Sequence, residues 1–169
     1  LFIFFFVEYK VTKINLSSDK ALYKIKNWCA YQERSQHETR QKLFEYGLFS
    51  EDVENIISKL IEENFLNEQR FSLALASGKF NIKHWGRNKI KNELKKHRIT
   101  DYCITHALNS LDKNEYELII NKVIEKKLKL LKTNNSQKNK YIVLQYLISK
   151  GFESDLVLEI LNKHLEKIK

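Results

Sequence analysis

The chain has 169 residues, no proline, only 4 glycines and 30% charged residues. So few turn residues argue against a β-sheet or mixed fold, and the abundance of Leu, Ile, Lys and Glu predicts an all-α protein. The net charge of +9 indicates an anionic partner, either nucleic acid or an acidic protein, although a lysine-rich genome would give the same excess.

Residues 1–16 begin with an apolar run, 1–7, that is too short to cross a bilayer. No basic residue precedes this run and no small-residue cleavage site follows it, so it is a poor secretory signal. We expect an arm that is strand-like or disordered. Because the chain contains no methionine, the natural start of the arm is left open.

Residues 17–66 carry the signals of a three-helix repeat. Serine favours the N-cap of a helix, and Ser17, Ser35 and Ser50 each stand before an apolar, helix-forming stretch. Gly47 suits the left-handed turn that ends the second helix. The predicted helices cover about 20–34, 36–46 and 51–64.

Residues 67–112 are predicted to form a second three-helix repeat. Its first helix carries Phe71 on the apolar face, its second begins near Gly86 or Arg87, and Thr100 caps the third. Because Gly86 has no Cβ, it would let a partner's backbone approach closely.

Residues 113–169 are predicted to form a third repeat. A long first helix precedes a polar loop at 133–137, the second helix carries Val143 and Leu147 on its inner face, and the last helix begins near Ser154.

A short pattern recurs once in each predicted repeat, at 43–48, 94–99 and 147–152. Each copy begins with leucine, ends on an apolar residue and runs into an apolar stripe of helical spacing. The fifth positions of the copies are 51 and 53 residues apart. A period of about fifty residues is typical of tandem repeats. We therefore predict three three-helix repeats, stacked into a curved, elongated rod.

Charge is distributed unevenly among the predicted repeats. The first has 7 basic and 9 acidic residues, the second 9 and 4, and the third 12 and 7. The second and third repeats are therefore the ones expected to face an anionic partner.

The clearest candidate for binding is the segment 79–98, which has 8 basic residues and a single acidic one, Glu93. Basic side chains along a helix neutralise phosphates, and Trp85 would offer a ring for a base to stack on. The same residues would also suit an acidic protein groove, or form a solvated lysine-rich face. A second candidate strip lies in the third repeat: Lys122, Lys126, Lys127, Lys129, Lys132, Lys138 and Lys140.

No motif indicates catalysis. The five histidines lack metal-ligand spacing, and neither a glycine-rich phosphate loop nor a nucleophile elbow occurs. Cys29 and Cys103 lie at or beside apolar helical positions, so we expect buried free thiols, as in a reducing cytosol. We expect neither enzymatic activity nor a metal or cofactor.

Three segments, in their order and separation, resemble the RecX regulatory family, which modulates the RecA recombinase. They are 35–47, 65–71 and 86–99. The second resembles the family's Leu-Asp-Asp-x-Arg-Phe block and the third its Gly-x-x-Arg-Ile-x-x-Glu-Leu-x-x-Lys-Gly-Ile block. The departures from these blocks are Asn67, Gln69, Lys89 and Arg98, the last of which stands where the family usually has glycine.

The resemblance implies a cytoplasmic protein that binds in the groove of the RecA–DNA filament. Such a protein inhibits strand exchange and the RecA ATPase, and so modulates recombination, repair and the SOS response. We expect a monomer without a membrane segment, which also contacts single- or double-stranded DNA. Two alternatives stay open: an autonomous helical DNA- or RNA-binding module, and a protein–protein adaptor. Carried over residue by residue, the RecA- or DNA-binding face comprises Arg70, Lys83, Arg87, Lys89, Lys91, Lys95, Lys96 and Arg98.

Overall fold

The computed structural model describes residues 15–131 and 136–166, and within them the chain forms nine α-helices and no strand. The all-helical prediction is confirmed. Most of the arm at 1–16, most of the loop at 133–137 and the residues after 166 lie outside the described part. The helices are α1 (Ser18–Tyr31), α2 (Gln36–Glu45), α3 (Ser50–Glu62), α4 (Glu68–Lys83), α5 (Arg87–Lys96), α6 (Asp101–Asn109), α7 (Lys113–Leu130), α8 (Ser136–Ser149) and α9 (Ser154–Glu166).

The chain divides into two compact units, and the division falls between Leu66 and Asn67. The first unit contains α1–α3 and the second contains α4–α9. The boundary that the sequence places at 112/113 falls inside the second unit, so the division into three repeats stays a prediction.

The first unit closes around its own apolar core. Ile25 of α1, Leu43 of α2, and Ile57 and Leu60 of α3 are all 2% exposed or less. Cys29 lies in the same core as a free thiol, where burial raises its pKa to about 11. A thiol that stays protonated is a weak nucleophile, so Cys29 is a packing residue.

The N-cap predicted for the second helix is confirmed at Ser35, and the one predicted at Ser50 is displaced by one residue. The Ser35 hydroxyl accepts the Glu38 N–H at 3.1 Å, while the Ser35 N–H donates to the Glu38 carboxylate at 3.1 Å. This reciprocal pair is a capping box, which satisfies two amides at the start of α2. The prediction for Ser50 is wrong by one residue, because Phe49 occupies the N-cap and Ser50 is already helical.

The second unit has one continuous core that includes residues from all six of its helices. Its centre is aromatic: the ring centroids of Phe80 and Tyr116 are 5.4 Å apart, and those of Tyr116 and Phe152 are 5.3 Å apart. Stacked and edge-on pairs at this spacing are favourable beyond their buried area. These contacts join α4, α7 and the turn before α9.

The pattern that recurs in the sequence forms the same helix-ending turn after α2, α5 and α8. In each copy the amide of the sixth residue donates to the carbonyl of the first, at 3.4, 3.2 and 3.1 Å in chain order. The fifth residue takes a left-handed φ, which is 85° at Gly47, 58° at Arg98 and 90° at Gly151. This geometry is a Schellman motif. The sixth residues are buried in the cores: Leu48, Ile99 and Phe152.

Candidate partner-binding surface

The basic segment folds as a helical hairpin within the second unit, formed by α4, a three-residue turn and α5. His84 ends α4 with φ 51°, a left-handed conformation that histidine tolerates better than a branched residue does. The amide of Trp85 then donates back to the Lys79 carbonyl at 3.2 Å. This turn places α5 beside α4, and the hairpin carries seven of the eight predicted binding residues, while Arg98 lies two residues after α5.

The start of α5 is joined to the turn that follows α8. The Gly86 amide donates to the Lys150 carbonyl at 2.9 Å, and the Asn88 amide donates to the Gly151 carbonyl at 3.0 Å. A Cβ on Gly86 would lie 2.3 Å from the backbone of Gly151 and Phe152. The backbone that Gly86 admits is therefore the protein's own, and the interpretation of Gly86 as leaving room for a partner is corrected.

Arg87 belongs to a polar cluster inside the unit. Its amide donates to the Tyr116 hydroxyl at 2.9 Å, and that hydroxyl donates to the Glu153 carboxylate at 2.7 Å. The Arg87 guanidinium lies 4.0 Å from the centroid of the Tyr116 ring and 3.4 Å from Glu153. Burial, together with the hydrogen bond to Glu153, raises the pKa of Tyr116, so its hydroxyl stays protonated and keeps donating. This arrangement uses Arg87 to join α5 to α7 and the turn before α9.

Trp85 is covered by two lysines. The ammonium groups of Lys79 and Lys89 each lie 4.7 Å from the Trp85 ring centroid. A base could stack on this ring only by displacing an ammonium group, which weakens the idea that Trp85 is a stacking platform. Lys89 also lies 3.4 Å from the Ser149 carbonyl, so it contributes to the same contact with α8 as Gly86 does.

Glu93, the single acid of the segment, is shared by two lysines. Its carboxylate lies 3.3 Å from the Lys79 ammonium and 3.4 Å from that of Lys96. Partial burial raises the pKa of Glu93, but the hydrogen bonds and charges of the two lysines outweigh it, and the pKa lies below its ordinary value. Glu93 therefore stays ionised and orders one flank of the hairpin.

Five basic residues of the hairpin and of the turn after α5 are exposed to solvent. Lys91 and Lys95 are one helical turn apart on α5, and both are exposed. Arg98 is exposed at the far end of α5, and Lys83 is exposed at the end of α4. The exposed set is Lys83, Lys91, Lys95, Lys96 and Arg98.

Arg70 lies in the first turn of α4, at the same end of the hairpin as Arg98. The neighbouring Phe71 and His97 rings, whose centroids are 5.1 Å apart, establish this placement. The Arg70 amide donates to the Asn67 side chain at 2.8 Å, which caps α4. The hairpin thus has Arg70 and Arg98 at one end and Lys83 at the other.

Sequence reasoning missed the partners of Arg87 and Gly86. Tyr116 was visible only as an apolar helical position, and Glu153 carried no signal. The recurring pattern predicts a helix-ending turn at Gly151, but nothing local in the sequence indicates that the start of α5 lies against that turn.

Within the described residues, no group of three or more His, Cys, Asp or Glu side chains is placed to hold a metal ion. No helix in this part of the chain is both long and apolar enough to span a bilayer.

The fold and this surface define an all-helical protein, over the residues described, that carries a basic hairpin. Residues 67–108 match the family model described as RecX, second three-helix domain, and residues 115–161 match that of RecX, third three-helix domain. The regulatory protein RecX of Clostridium tetani is 32% identical over 164 residues, covering 94% of this chain and 75% of that protein. The chain belongs to the RecX family.

Two further comparisons show how much of each chain the similarity covers. Regulatory protein RecX of Clostridium perfringens strain SM101 is 28% identical, and the match covers 77% of this chain and 61% of that protein. The crystal structure of RecX from Lactobacillus salivarius superposes with a TM-score of 0.78 at 23% identity, covering 86% of this chain and 95% of the other. The structural likeness supports the helical fold.

Proposed function

We propose that this protein binds the RecA–DNA filament through the α4–α5 hairpin and inhibits RecA's ATPase and strand exchange. Membership of the RecX family, whose members compared above are named regulatory proteins, supports this role. The proposed compartment is the cytoplasm, where RecA filaments form on DNA, and the proposed state is a monomer that regulates rather than catalyses.

The observation that carries the proposal is the exposed basic set on the hairpin. Lys91 and Lys95 present two charges one turn apart, and Arg98 extends the row. Such a row is complementary to an anionic groove on a nucleoprotein filament. Arg87 and Lys89 face the body of the unit, so we assign them the task of fixing the position of α5 rather than the main contact with the partner.

The test follows ATP hydrolysis by RecA on single-stranded DNA while the protein is titrated in. We expect the wild-type protein to slow hydrolysis, and the double reversal Lys91→Glu with Lys95→Glu to need about tenfold more protein, since each reversed charge costs about 0.7 kcal/mol. Lys20→Glu with Lys24→Glu is the matched control, because these exposed lysines on α1 have the same spacing.

Two results would contradict the proposal. If hydrolysis is unchanged by the wild-type protein and it does not sediment with filaments, the filament is not its partner. If the α1 control and the α5 variant inhibit equally well, the hairpin is not the binding face.

A second candidate function is autonomous binding of DNA or RNA, which the surplus of exposed lysines favours. The affinity for naked DNA, measured over a range of salt concentrations, discriminates filament binding from autonomous nucleic-acid binding. Each neutralised phosphate adds about 0.7 to 0.9 to the slope of log affinity against log salt concentration. Tight binding without RecA would favour an autonomous nucleic-acid-binding module. An adaptor that acts through apolar contacts would keep its partner after the α5 reversal.

A further inference from the structure

A groove of about 220 Å³ opens on the second unit between α7, the end of α8 and the residue that ends α4. Lys126 and Lys127 of α7, Lys150 of the turn after α8, and His84 contribute to its lining. Among the described residues of the chain, none of those that line this groove is acidic. The groove therefore concentrates three lysine charges around a small volume.

The same groove has an apolar floor. Tyr146 and Val123 are half-buried within it, and Leu130 is 67% exposed at its mouth. A large apolar side chain left this exposed beside a concave surface gains free energy when a partner covers it. The groove thus combines an apolar contact with a surrounding set of positive charges.

The positions of two lysines beside Tyr146 favour a carboxylate over a nucleobase as the group that binds in the groove. The Lys127 ammonium lies 4.6 Å from the Tyr146 ring centroid, and the Lys150 ammonium lies 5.7 Å from it. A nucleobase that stacked on Tyr146 would have to displace these ammonium groups. A carboxylate would instead meet them where they stand, because it needs donors at the rim and no ring face.

We propose that this groove binds an acidic peptide segment of a partner protein. Carboxylates of the peptide pair with Lys126, Lys127 and Lys150, and one apolar side chain of the peptide packs on Val123 and Leu130, which the ammonium groups leave uncovered. The groove uses residues that the hairpin function leaves unused, apart from His84 at the turn. The proposal stands independently of RecA, and its test needs no filament.

The test measures fluorescence anisotropy of a short labelled peptide of glutamates with one central leucine. We expect Lys127→Glu to weaken binding about tenfold, because it replaces an attraction with a repulsion of similar size. Lys113→Glu is the matched control, since it makes the same change on α7 roughly 20 Å away along the helix. The control should change binding less than twofold.

A second variant measures the apolar contribution to peptide affinity separately from the charge contribution, at an exposed position where the fold is not affected. Leu130→Ala truncates an exposed side chain, so the unit stays folded, and we expect about a threefold loss in peptide affinity. Replacing the peptide's leucine with alanine should cost a similar factor, and the two losses should not add because they remove the same contact.

Three outcomes would overturn the proposal. The first is that the wild-type protein fails to bind the acidic peptide. The second is that the Lys113 and Lys127 variants lose affinity equally, which would indicate unspecific charge attraction. The third is that an oligothymidylate displaces the peptide and binds the Lys127 variant more weakly, which would make nucleic acid the occupant.

Discussion

The turns after α5 and α8 make the same hydrogen bonds, yet one has Arg98 and the other Gly151 at the left-handed position. Arg98 is exposed and accepts a φ of 58°. At Gly151 a Cβ would lie 2.3 Å from the Lys89 Cβ and 2.5 Å from its amide nitrogen. A φ near 58° therefore does not demand glycine in this turn, whereas the φ of 90° at Gly151 disfavours other residues in addition to the close contact. Glycine is demanded where another segment lies against the turn, and at α8 that segment is the start of α5.

The largest predicted effect on stability is that of Gly151→Ala, which tests the contact between the α8 turn and α5. The added methyl group enters the Lys89 backbone and also strains a positive φ, so we expect the free energy of unfolding to fall by about 3 kcal/mol or more. Urea denaturation followed by circular dichroism measures this change.

Gly78→Ala is the matched control, since it adds the same methyl group inside α4, where no described atom outside the neighbouring backbone of α4 lies within 4 Å of the new carbon. It should raise the free energy of unfolding by about 0.5–1 kcal/mol through helix propensity. If both variants are stabilised, the contact between α5 and the α8 turn does not exist in solution.

A smaller effect is expected from Tyr116→Phe, which keeps the ring but removes the hydroxyl between Arg87 and Glu153. The Arg87 amide and the Glu153 carboxylate lose a partner, so we expect a loss of about 1–3 kcal/mol at neutral pH.

The pH dependence of that loss identifies its cause. The pKa of Tyr116 is raised on folding, so its stabilisation is complete below the ordinary tyrosine pKa of about 10 and is lost as pH rises above it. The difference between wild type and Tyr116→Phe should therefore shrink in alkaline solution. A difference that is constant with pH would mean that the hydroxyl is not buried in this cluster.

The smallest effect, and of opposite sign, is expected from Arg98→Gly. Glycine takes a positive φ at little steric cost, so stability should rise by about 0.5 kcal/mol while one exposed charge of the hairpin is lost. Thermal unfolding and the RecA titration measure the two effects separately. A fall in stability would show that the Arg98 side chain contributes more to the fold than its exposure indicates.

The local features of the fold could be predicted from the sequence. The capping serine at Ser35 and the turn at Gly47 act within a few residues, and their signals are correspondingly local. The basic run on α5 was visible for the same reason, because helical spacing alone decides that Lys91 and Lys95 lie together.

The division of the basic residues into exposed and inward-facing ones could not be predicted. Arg87 and Lys89 face inward because α7 and the α8 turn lie against the start of α5, and those partners are far away in sequence. Helical periodicity places a residue on a face but does not say what covers that face. Only the packing of the second unit distinguishes Arg87 from Lys91.

The two hydrogen bonds that join α5 to the turn after α8 also have a kinetic consequence. The amide protons of Gly86 and Asn88 are bonded to carbonyls more than sixty residues away, so they exchange with solvent only when α5 and α8 separate. Deuterium uptake at these two amides thus reports the opening of the second unit. A partner that binds α7–α9 would slow that uptake at the hairpin without touching it.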